Sequence, residues 1–378
     1  MNFAWSEEQQ DVRELARRIL KDLVNDDIVT QAERDGQPYL KDAWAALSEA
    51  ELMSLSLSEE AGGGGMGEEE LSILLREIGA VGAPLPVMST LVLAALPLDK
   101  FGNDAQKKRA ITALAATPEI VGAWSEIARR DLYQPATTLT KNDDGSYTLN
   151  GVKTHVEAAK DAKAFVVTAQ LDGKPVLLIA PNGDGVTVSA QDVTNWTIAY
   201  EVRFENVAIN EEDIIVQGDA ATDALDYLID RLLMAQSSLM LGLADTTLKL
   251  TATHAVDRVQ FGQPIATFQA VGQRCADAYI DLQALELAVL RVAWLQANDH
   301  PSTDAAQKAK FVAAQTSHRI GATATHIHGG IGFDRDYPLY RYFLGLKVLE
   351  FSFGNANEQL QKIGQRFAQA ATPEQKAS

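Results

Sequence analysis

The stretch Asp257-Arg258-Val259-Gln260-Phe261-Gly262-Gln263-Pro264-Ile265, closed by Phe268-Gln269, lies between two long apolar-periodic runs. The first run ends near Ala255, and the second starts at Ala266 and continues past Leu295. Gly262 and Pro264 are breakers, so Gly-x-Pro between two helical patterns reads as a helix–turn–helix. Arg258 then falls in the last turn of the incoming helix, where its planar, permanently charged fork suits a phosphate or a carboxylate. A second punctuated stretch lies downstream, His326-Ile327-His328-Gly329-Gly330-Ile331-Gly332-Phe333.

Outward from these segments the period of the apolar residues changes twice. Ser6-Glu7-Glu8-Gln9 reads as a capping box, and after it Val12, Leu15, Ala16, Ile19, Leu20 and Leu23 share one helical face. Further helical patterns cover Leu40–Leu52, Glu68–Ile78, Pro86–Leu96 and Asp104–Ala115. The run Gly62 to Gly65 reads as a structural turn rather than a phosphate cradle, because Glu68-Glu69-Glu70 at the next helix start would repel an anion. Near Ile120 the pattern becomes alternating. Thr137–Lys141 and Tyr147–Gly151 read as a hairpin about Asn142-Asp143-Asp144-Gly145. Ala164–Leu171, Pro175–Ala180, Gly185–Ser189 and Ala199–Phe204 follow as short strands. Helical periodicity returns at Ala221–Ala255, Ala266–Ala297, Ala305–His326, Leu339–Leu349 and Asn357–Ala370, and the tail Thr372–Ser378 reads as frayed.

Helices, then strands, then helices predict an α+β multidomain chain. Its parts are an N-terminal helical domain (1–118), a middle β-barrel or sandwich (119–216) and a C-terminal helical bundle (217–378). A chain of 378 residues accommodates three such units. Apolar runs break before a membrane-spanning length, and the first residues lack the basic and apolar regions of a signal peptide. The single cysteine, Cys275, forbids an internal disulfide and points to the cytoplasm. A net charge of −18 argues against nucleic acid and anionic membrane as partners, but leaves room for an anion at a local basic site.

Taken together, the Arg-x-x-Phe-Gly turn and the His-Gly-Gly-Ile-Gly stretch resemble the acyl-CoA dehydrogenase family across essentially the whole chain. The resemblance implies FAD as cofactor, an acyl-CoA thioester as substrate and oxidation between its α and β carbons. It also implies a tetramer and an electron-transfer flavoprotein-type acceptor. In that family a carboxylate removes the α proton, and the flavin takes the β hydrogen as hydride. By the same resemblance Arg258, Phe261 and Gln269 would meet the FAD pyrophosphate of a neighbouring subunit. His326, Gly329 and Gly330 would lie on the adenosine side. Glycine there would allow close backbone approach. His326 and His328 invite a metal reading, but no cysteine or acid completes the spacing, so no metal site is expected.

Three segments depart from the family pattern. The usual base is a Glu directly before a Gly, and Phe353-Gly354 stands at that position. Some relatives carry the base on the helix before the arginine turn, near Leu232, where no carboxylate is found. Asp230 and Glu350 are the nearest acids. The segment that faces the flavin, after Asn150-Gly151-Val152-Lys153, reads Thr154-His155-Val156-Glu157, with His155 for the usual Trp and Glu157 for the usual Thr. The Thr-Glu-Pro loop appears as Trp124-Ser125-Glu126-Ile127. Motifs that serve a neighbour's FAD survive, whereas those that build the chain's own flavin face and base are lost. Steroid-type relatives form α2β2 complexes in which one subunit type is catalytic. The sequence therefore predicts the base-lacking subunit of such a complex. Two alternatives stand beside it: a self-sufficient homotetrameric enzyme with a displaced carboxylate, and a flavin-free binding or structural homologue.

Overall fold

The computed structural model describes residues 4–129, 131–195 and 198–371; the tail at 372–378 lies outside the described residues. The chain opens with α1 (Glu7–Leu23), α2 (Asp26–Arg34), α3 (Lys41–Glu49) and α4 (Glu68–Val81). The capping box at the start of α1 forms as read. Ser6 Oγ accepts from the Gln9 N–H at 3.1 Å, and Gln9 Oε1 accepts from the Ser6 N–H at 3.1 Å. Helix α1 buries Val12, Ala16 and Leu20 from the expected face. Helix α2 was not anticipated as a separate element; Asn25 caps it through a bond from the Ile28 N–H.

The expected helix at Pro86–Leu96 is a π-helical run at Met88–Ala95, with every residue buried, followed by α5 (Leu96–Phe101) and α6 (Asp104–Ala110). The Pro86 carbonyl accepts from both Ser89 Oγ (3.2 Å) and Thr90 Oγ1 (2.6 Å). Hydroxyls crowding one carbonyl compete with the regular ladder and help widen the turn.

The middle of the chain forms β1 (Ile120–Ala123), β2 (Thr138–Lys141), β3 (Tyr147–Glu157), β4 (Ala164–Leu171), β5 (Lys174–Pro181), β6 (Val186–Gln191), β7 (Ala199–Ile209) and β8 (Ile214–Gln217). They make one mixed eight-stranded sheet in the order β6-β7-β3-β2-β4-β5-β8. β1 runs parallel to β4 from the Ile120↔Ala164 pair, and β2 meets the far end of that same edge at Thr138↔Gln170. The apolar run Ala164-Phe165-Val166-Val167 is buried residue by residue, as expected for a strand covered on both faces. Strands β1 and β8 escaped the sequence reading because four residues are too few to display a period, whereas the equally short β2 was marked by its hairpin turn.

The last third comprises α7 (Asp219–Asp257), the two-residue strands β9 (Val259–Gln260) and β10 (Gln263–Pro264), α8 (Gln269–Ala297), α9 (Thr303–His328), α10 (Leu339–Phe351) and α11 (Ala356–Ala371). Helix α7 is the axis of the molecule, packing on α4, α8, α9 and α10. Asp230 through Ala244 are buried without a break, so α7 has no solvent stripe in this stretch. α4 crosses α7 at backbone contact. A Cβ on Gly242 would stand 2.0 Å from the Arg76 carbonyl oxygen, and one on Gly79 would stand 2.2 Å from the Leu239 carbonyl oxygen. The Ser72 and Ser238 hydroxyls bond across this crossing at 2.9 Å. Among the described residues no helix is long and apolar enough to cross a membrane.

Candidate functional site

Two regions are relevant to function: an outward-facing rim at the ends of α7 and α9, and an apolar cavity between α4, α7, α10 and β3.

The rim begins where α7 stops. The Arg258 N–H donates to the His254 carbonyl at 2.9 Å, and the Ile265 N–H returns to the Arg258 carbonyl at 2.8 Å. The turn between is a miniature hairpin with Gln260 paired to Gln263, so the breakers fold a β-turn rather than a bare helix–turn–helix. Phe261 sits at its tip with φ +54° and is 92 % exposed; its only ring neighbour among the described residues is Phe268, edge-on at 6.2 Å. Arg258 and Gln269 are exposed as well. A permanent cation and a bare aromatic ring are thus aimed away from this chain.

Across the rim, α9 ends at His328 and gives way to Gly329-Gly330. Gly329 has φ +63°, which favours glycine. Gly330 has no positive φ and no atom within 4 Å of a built Cβ, so neither strain nor crowding within the chain demands glycine there. Open space above a glycine is what close approach by an outside group requires. His326 is exposed, whereas His328 turns inward and stacks on His254, centroids 4.2 Å apart. Among the described residues no three His, Cys, Asp or Glu side chains gather as a metal site. The exposed cation and open glycines fit a dinucleotide phosphate and its adenosine edge, the parts of FAD that need charge and backbone access.

The cavity, about 110 Å³, lies between the end of α4, the π-helical run, α7, α10 and the end of β3. Its walls are chiefly apolar, including Ile78, Leu85, Met88, Leu239, Leu243 and Leu349. Glu157 is the carboxylate among its lining residues, and Arg341 the cation. Burial pushes the Glu157 carboxyl up to about 7, against the opposing effect of bonds from Ser89. Ser89 Oγ lies 3.4 Å from Glu157 Oε2. Arg341 is turned to Asp26 of α2, with which it forms an ion pair.

Neither acid named from the sequence lines this cavity. Asp230 accepts from Ser302 Oγ (2.9 Å) and Thr303 Oγ1 (2.8 Å), and so ties α7 to the start of α9. It lies nine residues before Leu239, which at helical rise is roughly 13.5 Å along the axis. Glu350 accepts from Lys347 Nζ at 2.7 Å and faces His318 Nδ1 at 3.5 Å. Phe353 lies in the turn between α10 and α11 with φ +53°, ahead of Gly354 at φ +107°. A bulky residue in the left-handed region costs of order 1–3 kcal/mol. The turn is kept, but the side chain it presents is a half-buried ring packed against the core. On α9 Lys310 is fully buried and donates to the Leu349 carbonyl. Burial pulls its ammonium down to about 7, although Glu350 and Glu358 oppose this.

The departing motifs of the β-domain meet in space. Lys153 Nζ bonds Glu126 Oε1 at 2.6 Å, with both side chains buried. Glu126 also accepts from Thr137 Oγ1 (2.6 Å), the Thr137 N–H (3.1 Å) and the Ala136 N–H (2.5 Å). Burial pushes the Glu126 carboxyl up, but the charge and bond of Lys153 with the bonds from Thr137 and Ala136 outweigh it and hold the group below its ordinary value. The pair fastens the loop after β1 to β3 just ahead of His155 and Glu157. His155 itself is exposed at φ +56°, in an irregularity of the β3–β7 register.

Sequence reasoning missed the Glu126–Lys153 pair, the His254–His328 stack and buried Lys310. The first two join residues 27 and 74 positions apart, and the third sits amid polar neighbours, where spacing carries no signal. For Lys310, polar Gln307 and Lys308 nearby hid a buried position.

Comparison with known proteins agrees with this layout. Residues 6–118 match the acyl-CoA dehydrogenase N-terminal domain, and residues 228–368 the acyl-CoA dehydrogenase C-terminal domain. The chain is 31 % identical over 379 residues to the acyl-CoA dehydrogenase FadE27 of Mycobacterium tuberculosis, covering 98 % of this chain and 99 % of the relative. It also resembles a chain of the ChsE4-ChsE5 complex of Mycobacterium tuberculosis, with a TM-score of 0.89 and 30 % identity over 99 % of this chain and 100 % of the other. A steroid ACAD variant, Tcur3481-Tcur3483, matches with a TM-score of 0.88 and 30 % identity over 97 % of this chain and 99 % of the other.

Proposed function

This chain belongs to the acyl-CoA dehydrogenase family, a family of FAD-dependent oxidoreductases, and from that premise we propose that it is the base-lacking subunit of a hetero-oligomeric acyl-CoA dehydrogenase. The observation that carries this reading is Phe353. The turn that should present a carboxylate presents a hydrocarbon ring, and a ring cannot accept the α proton. The outward rim is meanwhile intact. Arg258 with Gln269 would hold the pyrophosphate of a partner's FAD, Phe261 would cover it, and Gly329-Gly330 would border its adenosine. FAD, when bound, supplies the hydride acceptor. This chain supplies charge, a backbone cradle and part of the wall that excludes water.

The resemblance to a chain of a two-component complex supports a homologous partner. The resemblance to a steroid ACAD supports a bulky, steroid-type acyl-CoA as the substrate of the assembly. An electron-transfer flavoprotein-type acceptor and a cytoplasmic setting complete the reading. The test is flavin content of the chain alone, with its partner, and with its partner carrying Arg258→Ala in this chain. A charge-assisted phosphate bond of about 1.5–3 kcal/mol predicts FAD held roughly 10- to 150-fold more weakly by the variant. Arg258→Lys recovers part, since a point charge cannot bond bidentately. Unchanged retention in Arg258→Ala would remove the rim from the cofactor site.

A second reading, a self-sufficient enzyme with a displaced carboxylate, is favoured by Glu157. It lines the cavity, and burial brings its carboxyl up to about 7, where a general base works best. This reading requires a yellow, active homo-oligomer whose turnover disappears in Glu157→Gln.

A further inference from the structure

The His254 and His328 rings lie nearly parallel, 4.2 Å between centroids and inclined by 22°. They belong to the two rim segments that the sequence picked out separately. His254 is one turn before Arg258, whose N–H bonds its carbonyl. His328 is the last residue of α9, directly before Gly329-Gly330.

The His328 ring is fixed at both nitrogens. Nδ1 lies 2.8 Å from the Ala324 carbonyl oxygen and Nε2 lies 3.1 Å from Tyr337 Oη. A carbonyl only accepts, so Nδ1 carries the proton. The Tyr337 hydroxyl both donates and accepts, so it bonds Nε2 of the neutral ring as donor and of the cation as acceptor. Both ring nitrogens are engaged, and the ring has no free position.

We infer that the His254–His328 stack is a positioning device: two neutral rings clamp the end of α7 to the end of α9 and so hold Arg258 and Gly329-Gly330 in one register. This rests on the reading that those two segments border one FAD. The charged and titratable groups that face the pair are few. Asp257 and Arg258 flank His254; Tyr337 faces His328, and Asp257 and Asp26 in turn face Tyr337. Burial lowers the His254 ring below the ordinary histidine value, Arg258 adds to this and Asp257 opposes it. Burial likewise lowers His328, with the Ala324 bond opposing and His254 adding. For a base lowered on folding, stability is present above its ordinary value, about 6.5, and is lost as pH falls below it. The clamp is therefore closed at neutral pH and weakens in acid, when a cation forms against its stacked neighbour and beside Arg258.

The experiment uses the complex of this chain with its partner, with two readouts between pH 5 and 8: amide-exchange protection of residues 258–265 and 329–333, and retained flavin. Wild type should lose protection in both segments together as pH falls below the ordinary histidine value, about 6.5, and flavin with it. His254→Ala removes the stack and should lower protection in 329–333 about tenfold even at pH 8, the order expected for one lost ring pair. His254→Phe keeps a ring and leaves His328 as the one titratable member of the stack, so protection should be restored at pH 8 and fall less toward pH 5 than in wild type. A wild-type pH profile in His254→Phe, or unchanged protection of 329–333 in His254→Ala, overturns the inference. If protection follows these expectations while no preparation holds flavin, the clamp stands and the FAD reading falls. If flavin is held but 329–333 ignores residue 254, the FAD reading stands and the clamp falls.

Discussion

Replacing Lys153 by Met should destabilise the middle domain and change how its stability responds to pH. The Lys153 ammonium is fully buried, 2.6 Å from Glu126 and 3.0 Å from Thr168 Oγ1. Removing one member of a buried ion pair typically costs about 3–5 kcal/mol, because the other charge stays behind uncompensated. Here three donors remain on Glu126, from Thr137 and Ala136, so the expected cost is at the low end, about 3 kcal/mol. At roughly 4–8 °C per kcal/mol for a unit of about 100 residues, the melting temperature falls by about 12 °C or more. The double variant Lys153→Met/Glu126→Gln removes both charges and should regain about 2 kcal/mol, which a double-mutant cycle reads as coupling. The pH sign follows from Glu126. In the wild type its carboxyl is held below the ordinary value, so its contribution is present above that value and lost as pH falls through the lowered one. Without Lys153 the largest influence left is burial, which raises the group. A raised carboxyl contributes stability below its ordinary value and loses it as pH rises. The gap between wild type and variant should therefore narrow from pH 7 to pH 5. Thermal unfolding of both proteins across that range is the assay. A single-variant cost below about 1 kcal/mol, the size of a surface pair, or a gap independent of pH, would refute this account.

Phe353→Glu should leave the isolated chain without efficient turnover. A positioned base is worth about 10²–10⁴ in rate, but burial at the place of a half-buried ring favours the protonated carboxyl; acyl-CoA turnover rising more than about tenfold would show that only the base was missing. Asp230→Asn and Glu350→Gln, made separately in the complex, should each keep most turnover, because both side chains are engaged in structural bonds away from the cavity. If either abolishes turnover while FAD binding and assembly persist, this chain carries its own base.

The helix–sheet–helix architecture was legible because it rests on local periodicity. Alternation begins near Ile120 and helical spacing returns after Gly218, and burial along β7 and α8 follows those patterns. The rim was legible too, since Gly262, Pro264, Gly329 and Gly330 mark turns by their backbone preferences, and Arg258 lies one residue past a helix end. Period could not reveal the π-helical run, where hydroxyls compete for one carbonyl, nor the four-residue strands β1 and β8. The cavity acid is the clearest case. Glu157 was visible as a substitution, but its place on the cavity wall and its raised carboxyl depend on α4, α7, α10 and β3 closing around it. Asp230 and Glu350 looked equally available in sequence, and only packing turned them toward Ser302, Thr303 and Lys347. Local order belongs to the sequence because neighbouring residues share one backbone. The state of a charge belongs to the tertiary structure, because desolvation and partners come from segments far apart in the chain.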